Sequence, residues 1–105
     1  MIQHVVLFNL KPEIDEEKIQ WMLRETRIRL LKIPVVRGLR CGHRIDPGTD
    51  WALFLLIELD SAEKLAAYLQ DPVHVGFVNE VIKPNITDRI ALDYQGDPGA
   101  DPLLS

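Results

Sequence analysis

Two segments of this chain are apolar on both faces of a predicted strand, and this constrains the fold more than any other feature. Residues 1–10 read MIQHVVLFNL, are rich in β-branched and aromatic side chains, and end at a Lys-Pro pair. Val5 and Leu7 alternate with apolar residues of the opposite face, and residues 51–59, WALFLLIEL, repeat this arrangement. A strand that is apolar on both sides needs a cover on both sides.

The remaining elements are predicted from caps, apolar periodicity and proline breaks. A helix is expected over 15–33, because acidic residues stand at its start, apolar residues recur at helical spacing, and a proline follows it. Asp60 or Ser61 can cap a second helix, which an Asp-Pro pair at 71–72 interrupts. The other predicted elements are a strand at 35–44, a short helical piece at 74–82 and a strand at 87–94.

The element order is β-α-β-β-α-β, which predicts an α+β, ferredoxin-like protomer with a four-stranded antiparallel sheet. Two helices can cover only one face of that sheet, while its first and third strands are apolar on both. Because a monomer rarely exposes an apolar face of that size, we expect a homodimer that closes into a dimeric α/β barrel. One such domain is expected over 1–95, and a flexible C-terminal tail rich in proline and glycine over 96–105.

Charge and composition exclude several classes of partner. The chain has 12 Lys and Arg against 16 Asp and Glu, whereas a phosphate-binding surface usually has a basic excess, so no nucleic acid is expected. No apolar run is long enough to span a membrane, and the single cysteine, Cys41, excludes an internal disulfide framework. The start lacks the basic flank and cleavage site of a signal peptide, so a cytoplasmic location is expected.

Three histidines are candidates for chemistry, and their surroundings do not indicate a metal. His4, His43 and His74 show no metal-ligand spacing, and the chain has neither a glycine-rich phosphate loop nor a nucleophile elbow. We therefore predict neither a metal nor another cofactor. His43 stands beside arginines at a strand end, where a solvated role fits best.

Tyr68 and His74 stand six residues apart across the proline break, where they can converge on one pocket. In the functional interpretation they form an acid/base pair, in which the phenol polarises an oxygen while the imidazole removes a proton. In the structural interpretation His74 caps a helix and Tyr68 is a half-buried packing residue. His4 has two similar interpretations: a core-edge histidine with one hydrogen bond, or a proton-transfer group that faces an enclosed cavity.

Several of these segments resemble the stress-responsive dimeric α/β-barrel (Dabb) family. The most specific is 68–77, YLQDPVHVGF, which is similar to that family's Y-x-x-H/D-P-x-H block. The first strand and the Asp-Tyr pair in the last predicted strand also match. The resemblance covers about 1–95, and it implies a ferredoxin-like protomer and a homodimeric barrel.

One member that this chain distantly resembles, a plant olivetolic acid cyclase, closes a linear polyketide without a cofactor. The resemblance implies that His74 and Tyr68 match its acid/base pair and that His4 matches a histidine of its pocket. This chain departs from the cyclase at Thr26 and Ala52, which replace a second pocket tyrosine and another histidine. The polyketide substrate is therefore not transferred to this chain.

Three functions stay open at this point. In the first, the chain is a small homodimeric stress-responsive protein of unassigned activity that binds an apolar or aromatic small molecule between its helices and its sheet. In the second, it is a cofactor-free lyase or cyclase in which His74 is the general base, Tyr68 polarises a carbonyl group and His4 is an auxiliary donor. In the third, it is a haem- or oxygen-handling member of the wider barrel superfamily.

Overall fold

The computed structural model describes residues 1–97, which form one sheet with helices packed on one of its faces. The predicted tail over 96–105 lies outside the described residues from residue 98 onward. The elements in chain order are β1 (Ile2–Leu10), α1 (Glu16–Leu30), β2 (Gly38–His43), β3 (Leu53–Leu59), α2 (Ala62–Gln70), α3 (Pro72–Phe77), a π-helical turn (Val78–Ile82) and β4 (Ile86–Gln95).

The four strands form one antiparallel sheet in the order β2-β3-β1-β4. The two strands that are apolar on both faces, β1 and β3, are its central pair, as the sequence predicts. The α+β, ferredoxin-like fold is thereby confirmed. In the ladder between β1 and β4, His4 lies opposite Asp93 and Phe8 lies opposite Arg89, so these four residues share the face that carries the helices.

Side-chain caps define where the two longer helices begin. The Asp15 carboxylate accepts a hydrogen bond from the Lys18 backbone N–H (2.9 Å) at the start of α1, and the Ser61 hydroxyl accepts one from the Lys64 N–H (3.2 Å) at the start of α2. Among residues 1–97, no helix is long and apolar enough to cross a membrane.

The helical piece predicted at 74–82 differs from the observed one in extent and in type. Asp71 is extended, ends α2 and caps α3, because its carboxylate accepts from the Val73 backbone N–H at 2.8 Å. Pro72 occupies the first turn of α3, where its missing N–H costs nothing. The segment therefore begins two residues earlier than predicted, and from Val78 it continues as a π-helical turn.

The two faces of the sheet differ sharply in burial. The helix-facing side chains of β1 and β3 are buried, and they include His4. On the opposite face the described helices cover nothing, and Phe54, Leu92 and Tyr94 are 39%, 40% and 56% exposed. The described part of the chain thus covers one face of the sheet and leaves an apolar second face open, as the sequence pattern predicts.

Candidate active site

A cavity of about 410 Å³ lies between the helix-facing side of the sheet and the segment that runs from α2 to the π-helical turn. Most of its wall is aliphatic or aromatic, and five of its residues are polar or titratable. A mostly apolar pocket with a few converging polar groups is typical of a small-molecule site. The five are His4, Tyr68, His74, Arg89 and Asp93.

The structure brings together all three site residues that the sequence predicts, since His4, Tyr68 and His74 line this one cavity. The rings of Tyr68 and His74 lie with their centroids 4.6 Å apart, and those of His4 and Tyr68 lie 5.9 Å apart. Tyr68 comes from the last turn of α2 and His74 from the first turn of α3, so the break at Asp71 places the two rings side by side.

The imidazole of His74 is held in one tautomer by the end of α2. Its Nδ1 lies 3.0 Å from the Leu69 carbonyl oxygen, which can only accept, so Nδ1 carries the proton and Nε2 keeps its lone pair. Burial lowers the pKa of His74 below its ordinary value, and the positive charge of Arg89 acts in the same direction. His74 is therefore neutral near neutral pH, the form that can accept a proton.

The hydroxyl of Tyr68 is a hydrogen-bond donor, in contrast to Nε2 of His74, which can accept a proton. The Tyr68 side chain is fully buried, and within residues 1–97 its hydroxyl has no hydrogen-bond partner. Burial raises the pKa of Tyr68, so the phenol keeps its proton at every physiological pH. Because a buried donor without a partner is costly, this hydroxyl is available to an oxygen of a bound molecule.

His4 is oriented by a carboxylate that belongs to the neighbouring strand. Its Nδ1 lies 2.5 Å from Oδ1 of Asp93 and donates to this carboxylate oxygen, which can only accept, so Nε2 is the ring nitrogen that is left for a bound molecule. The His4 side chain is 7% exposed, whereas that of Asp93 is 48% exposed, so the pair runs from the cavity wall towards solvent.

Asp93 and Arg89 line the cavity but were not predicted as site residues. Both lie on β4, and Asp93 is 89 positions from the histidine that it holds. The alternation of β4 places Arg89, Ala91 and Asp93 on one face, which is a signal that the sequence does contain. Which face meets His4 depends on the register between β1 and β4, and the sequence alone does not define that register.

The other residues singled out from the sequence lie elsewhere. His43 is outside the cavity, with its Nδ1 3.7 Å from a Glu16 carboxylate oxygen. Thr26 is buried in α1, where its hydroxyl donates to the Met22 carbonyl oxygen at 2.7 Å. Within the described range, no cluster of three or more His, Cys, Asp or Glu side chains could hold a metal ion.

Comparison with known protein families identifies the chain. The family model of the stress-responsive A/B barrel domain (Dabb) matches residues 2–95, which include every element of the fold and all five polar residues of the cavity. The chain belongs to the Dabb family. The resemblance found in the sequence is thus confirmed over nearly its whole extent.

Among Dabb relatives, a stress-response A/B barrel domain-containing protein of Arabidopsis thaliana is 32% identical over 99 residues. The alignment covers 92% of this chain but only 37% of the Arabidopsis protein, so the chain spans about a third of the length of that relative.

Solved structures share the Dabb fold at lower sequence identity. A dimeric ferredoxin-like protein of unknown function from Bacteroides fragilis matches with a TM-score of 0.75 and 24% identity, over 90% of this chain and 95% of that one. A hydroxynitrile lyase from Passiflora edulis matches with a TM-score of 0.78 and 15% identity, over 95% and 96%. At these identities the likeness shows the fold alone.

Proposed function

We propose that this Dabb protein binds an apolar or aromatic carbonyl compound in its cavity and moves a proton at the carbon next to the carbonyl group, without a cofactor. The observation that carries this proposal is the contact between Tyr68 and His74, whose rings lie 4.6 Å apart in the cavity wall. One of them is a buried phenol that keeps its proton, and the other is an imidazole whose lowered pKa leaves it unprotonated.

In the proposed step, Nε2 of His74 takes a proton from the carbon next to the carbonyl group. The electron pair of that C–H bond becomes a carbon–carbon double bond, and the carbonyl π electrons move to the oxygen. The Tyr68 hydroxyl donates a hydrogen bond to this oxygen and stabilises its negative charge. Return of the proton from His74 restores the carbonyl compound, so the residues end the cycle as they began it.

Three features support this function. The two groups have pKa values that burial moves apart, which is how one site holds a base and an acid at the same pH. His4 adds a third polar group, oriented by Asp93, to a wall that is otherwise mostly apolar. The Passiflora edulis protein of the same fold is named as a lyase, which is consistent with chemistry in this cavity.

The test is hydrogen exchange in phenylacetone, followed by proton NMR in deuterium oxide. We expect the protein to accelerate loss of the protons next to the carbonyl group, and His74→Ala to lower that acceleration about a hundredfold, the usual contribution of a positioned general base. His43→Ala removes a histidine outside the cavity and should leave the rate unchanged.

The same measurement separates the catalytic function from ligand binding alone. If phenylacetone perturbs the NMR signals of cavity residues but its protons exchange no faster than in buffer, the chain is a binding protein and the proton-transfer proposal is wrong. If His74→Ala exchanges as fast as the unmodified protein, the assignment of the base is wrong.

We propose in addition that the protein is a homodimer whose open sheet faces close over a shared interior. The open face carries apolar side chains from all three of β1, β3 and β4, with Val5 flanked by Leu56 and Leu92 in one row. Apolar surface of this kind is usually covered in the functional assembly. Similarity to a Bacteroides fragilis protein that is itself dimeric supports the same arrangement.

A further inference from the structure

Arg89 is the one cationic side chain in the wall of the cavity, and the described residues give it no carboxylate partner. It lies on the helix-facing side of β4, opposite Phe8. Two of the other six arginines have carboxylate partners, since Arg29 contacts two glutamates and Arg37 contacts Asp60 at 3.0 Å. The four remaining arginines also lack such a partner in the described residues, but they lie outside the cavity, so Arg89 is set apart by its place in the cavity wall. Within residues 1–97, no Asp or Glu oxygen lies within 4.0 Å of the Arg89 guanidinium.

The cavity is electrically polarised along β4. Asp93 and Arg89 are four residues apart on the same face of the strand, so their backbones are separated by about 13 Å. Between them lies Ala91, which adds no charge. The carboxylate of Asp93 is engaged by His4, whereas the guanidinium of Arg89 is available. At one end of the cavity the Asp93 carboxylate is already hydrogen-bonded to His4, and at the other end the Arg89 guanidinium has no carboxylate partner among the described residues.

We propose that the cavity selects carbonyl compounds that carry a carboxylate, and that Arg89 is the specificity-determining residue that binds it. This inference rests on the proposed function and names its substrate class. A guanidinium matches a carboxylate with two parallel hydrogen bonds, and Arg89 is an exposed residue of the cavity wall, so the carboxylate of an entering ligand can reach it. A single arginine fits a monoanion better than a phosphate, which needs several donors, and Asp93 at the far end would repel a second negative charge.

Binding of a matched pair of probes tests this inference. Phenylbutyrate and phenylbutyramide have the same apolar body and nearly the same shape, but only the first is charged. We expect the unmodified protein to bind phenylbutyrate about tenfold more tightly, because its carboxylate gains hydrogen bonds to a guanidinium, although water weakens them at the exposed Arg89. Isothermal titration calorimetry, or the shifts of backbone amide NMR signals for weak binding, measures both affinities.

Two arginine variants test whether Arg89 causes the preference for phenylbutyrate over phenylbutyramide. Arg89→Gln should abolish the preference for phenylbutyrate while leaving the affinity for phenylbutyramide unchanged, because the apolar wall is intact. Arg24→Gln removes the same charge from an exposed position on α1, outside the cavity, and should keep the preference. If Arg89→Gln keeps the preference, or if the unmodified protein binds both probes equally, the inference is wrong while the proposed function stands. If neither probe binds while phenylacetone protons still exchange faster than in buffer, the inference is wrong and the proposed function stands; if that exchange is not accelerated either, the proposed function fails as well.

Discussion

At the scale of single residues, the Tyr68 hydroxyl is the group whose proposed function lowers the stability of the folded protein. It is fully buried and has no partner among the described residues, so it costs the folded protein free energy that a packing residue would not. We therefore expect Tyr68→Phe to raise the free energy of unfolding by about 1 kcal/mol while it slows the exchange of phenylacetone protons. Urea denaturation at a fixed protein concentration measures the first effect, and NMR the second.

Tyr94→Phe is the matched control for this prediction. Tyr94 lies on the sheet face opposite the cavity, so loss of its hydroxyl should leave the exchange rate close to that of the unmodified protein, and it should not stabilise the fold as Tyr68→Phe does, because Tyr94 is 56% exposed in the protomer. A Tyr68→Phe variant that is less stable than the unmodified protein would indicate that the hydroxyl does have a partner, and it would remove the reason to assign it to a ligand.

The sequence predicts site residues when they lie close together along the chain. Tyr68 and His74 are six residues apart on either side of an Asp-Pro pair, and this spacing is visible before any fold is known. The tautomer of His74 was not predictable, because it depends on the Leu69 carbonyl at the end of α2. Asp93 and Arg89 were missed because they approach His4 and the cavity only through the pairing of β4 with β1.

At the scale of elements, the junction between α2 and α3 positions Tyr68 and His74, the proposed acid/base pair. Asp71 ends one helix and caps the next through the Val73 N–H, so it sets the angle at which His74 meets Tyr68. We expect Asp71→Ala to cost about 1 kcal/mol of stability, the usual effect of losing a cap, and also to slow phenylacetone exchange although Asp71 does not line the cavity.

Two control variants separate positioning from general destabilisation. Asp71→Asn keeps an N-cap acceptor and should retain most of the stability and the exchange rate. Asp15→Ala removes the equivalent cap of α1 and should cost similar stability, yet leave the exchange rate unchanged. Equal rates for Asp71→Ala and Asp15→Ala would contradict the positioning role.

Helices and strands were predicted well where the sequence contains both a recognisable start and a regular apolar pattern. The acidic start and apolar periodicity of 15–33 predict α1 within a few residues, and a cap at Asp60 or Ser61 predicts the start of α2, where the structure selects Ser61. The second strand was predicted too long, because Val36 bonds back to Ile33 in a turn before the strand begins at Gly38. The π-helical turn had no signal in the sequence, since it differs from an α-helix only in which carbonyl each N–H reaches.

At the scale of the whole molecule, one side of the sheet holds the site and the other side is open. Helices on the first side enclose the cavity, so a small chain can place apolar and polar groups around a ligand without a second domain. The open side contributes nothing to that cavity in the described residues, and its apolar side chains come from three different strands. Association through this side would leave the cavity of each protomer intact.

The mass of the protein in solution decides whether the open face is an interface. Light scattering after size exclusion should give about 24 kDa at micromolar protein, twice the 12.0 kDa of one chain. Leu92→Lys places a charge in the middle of the open face, where the side chain is already 40% exposed, so the protomer should fold but associate weakly. Ile28→Lys changes a residue of α1 that is 54% exposed, away from the sheet, and should stay dimeric. A mass of 12.0 kDa for the unmodified protein would contradict the dimer. The apolar side chains of β1 and β3 on the open face would then have to be covered by something other than a second copy of the chain.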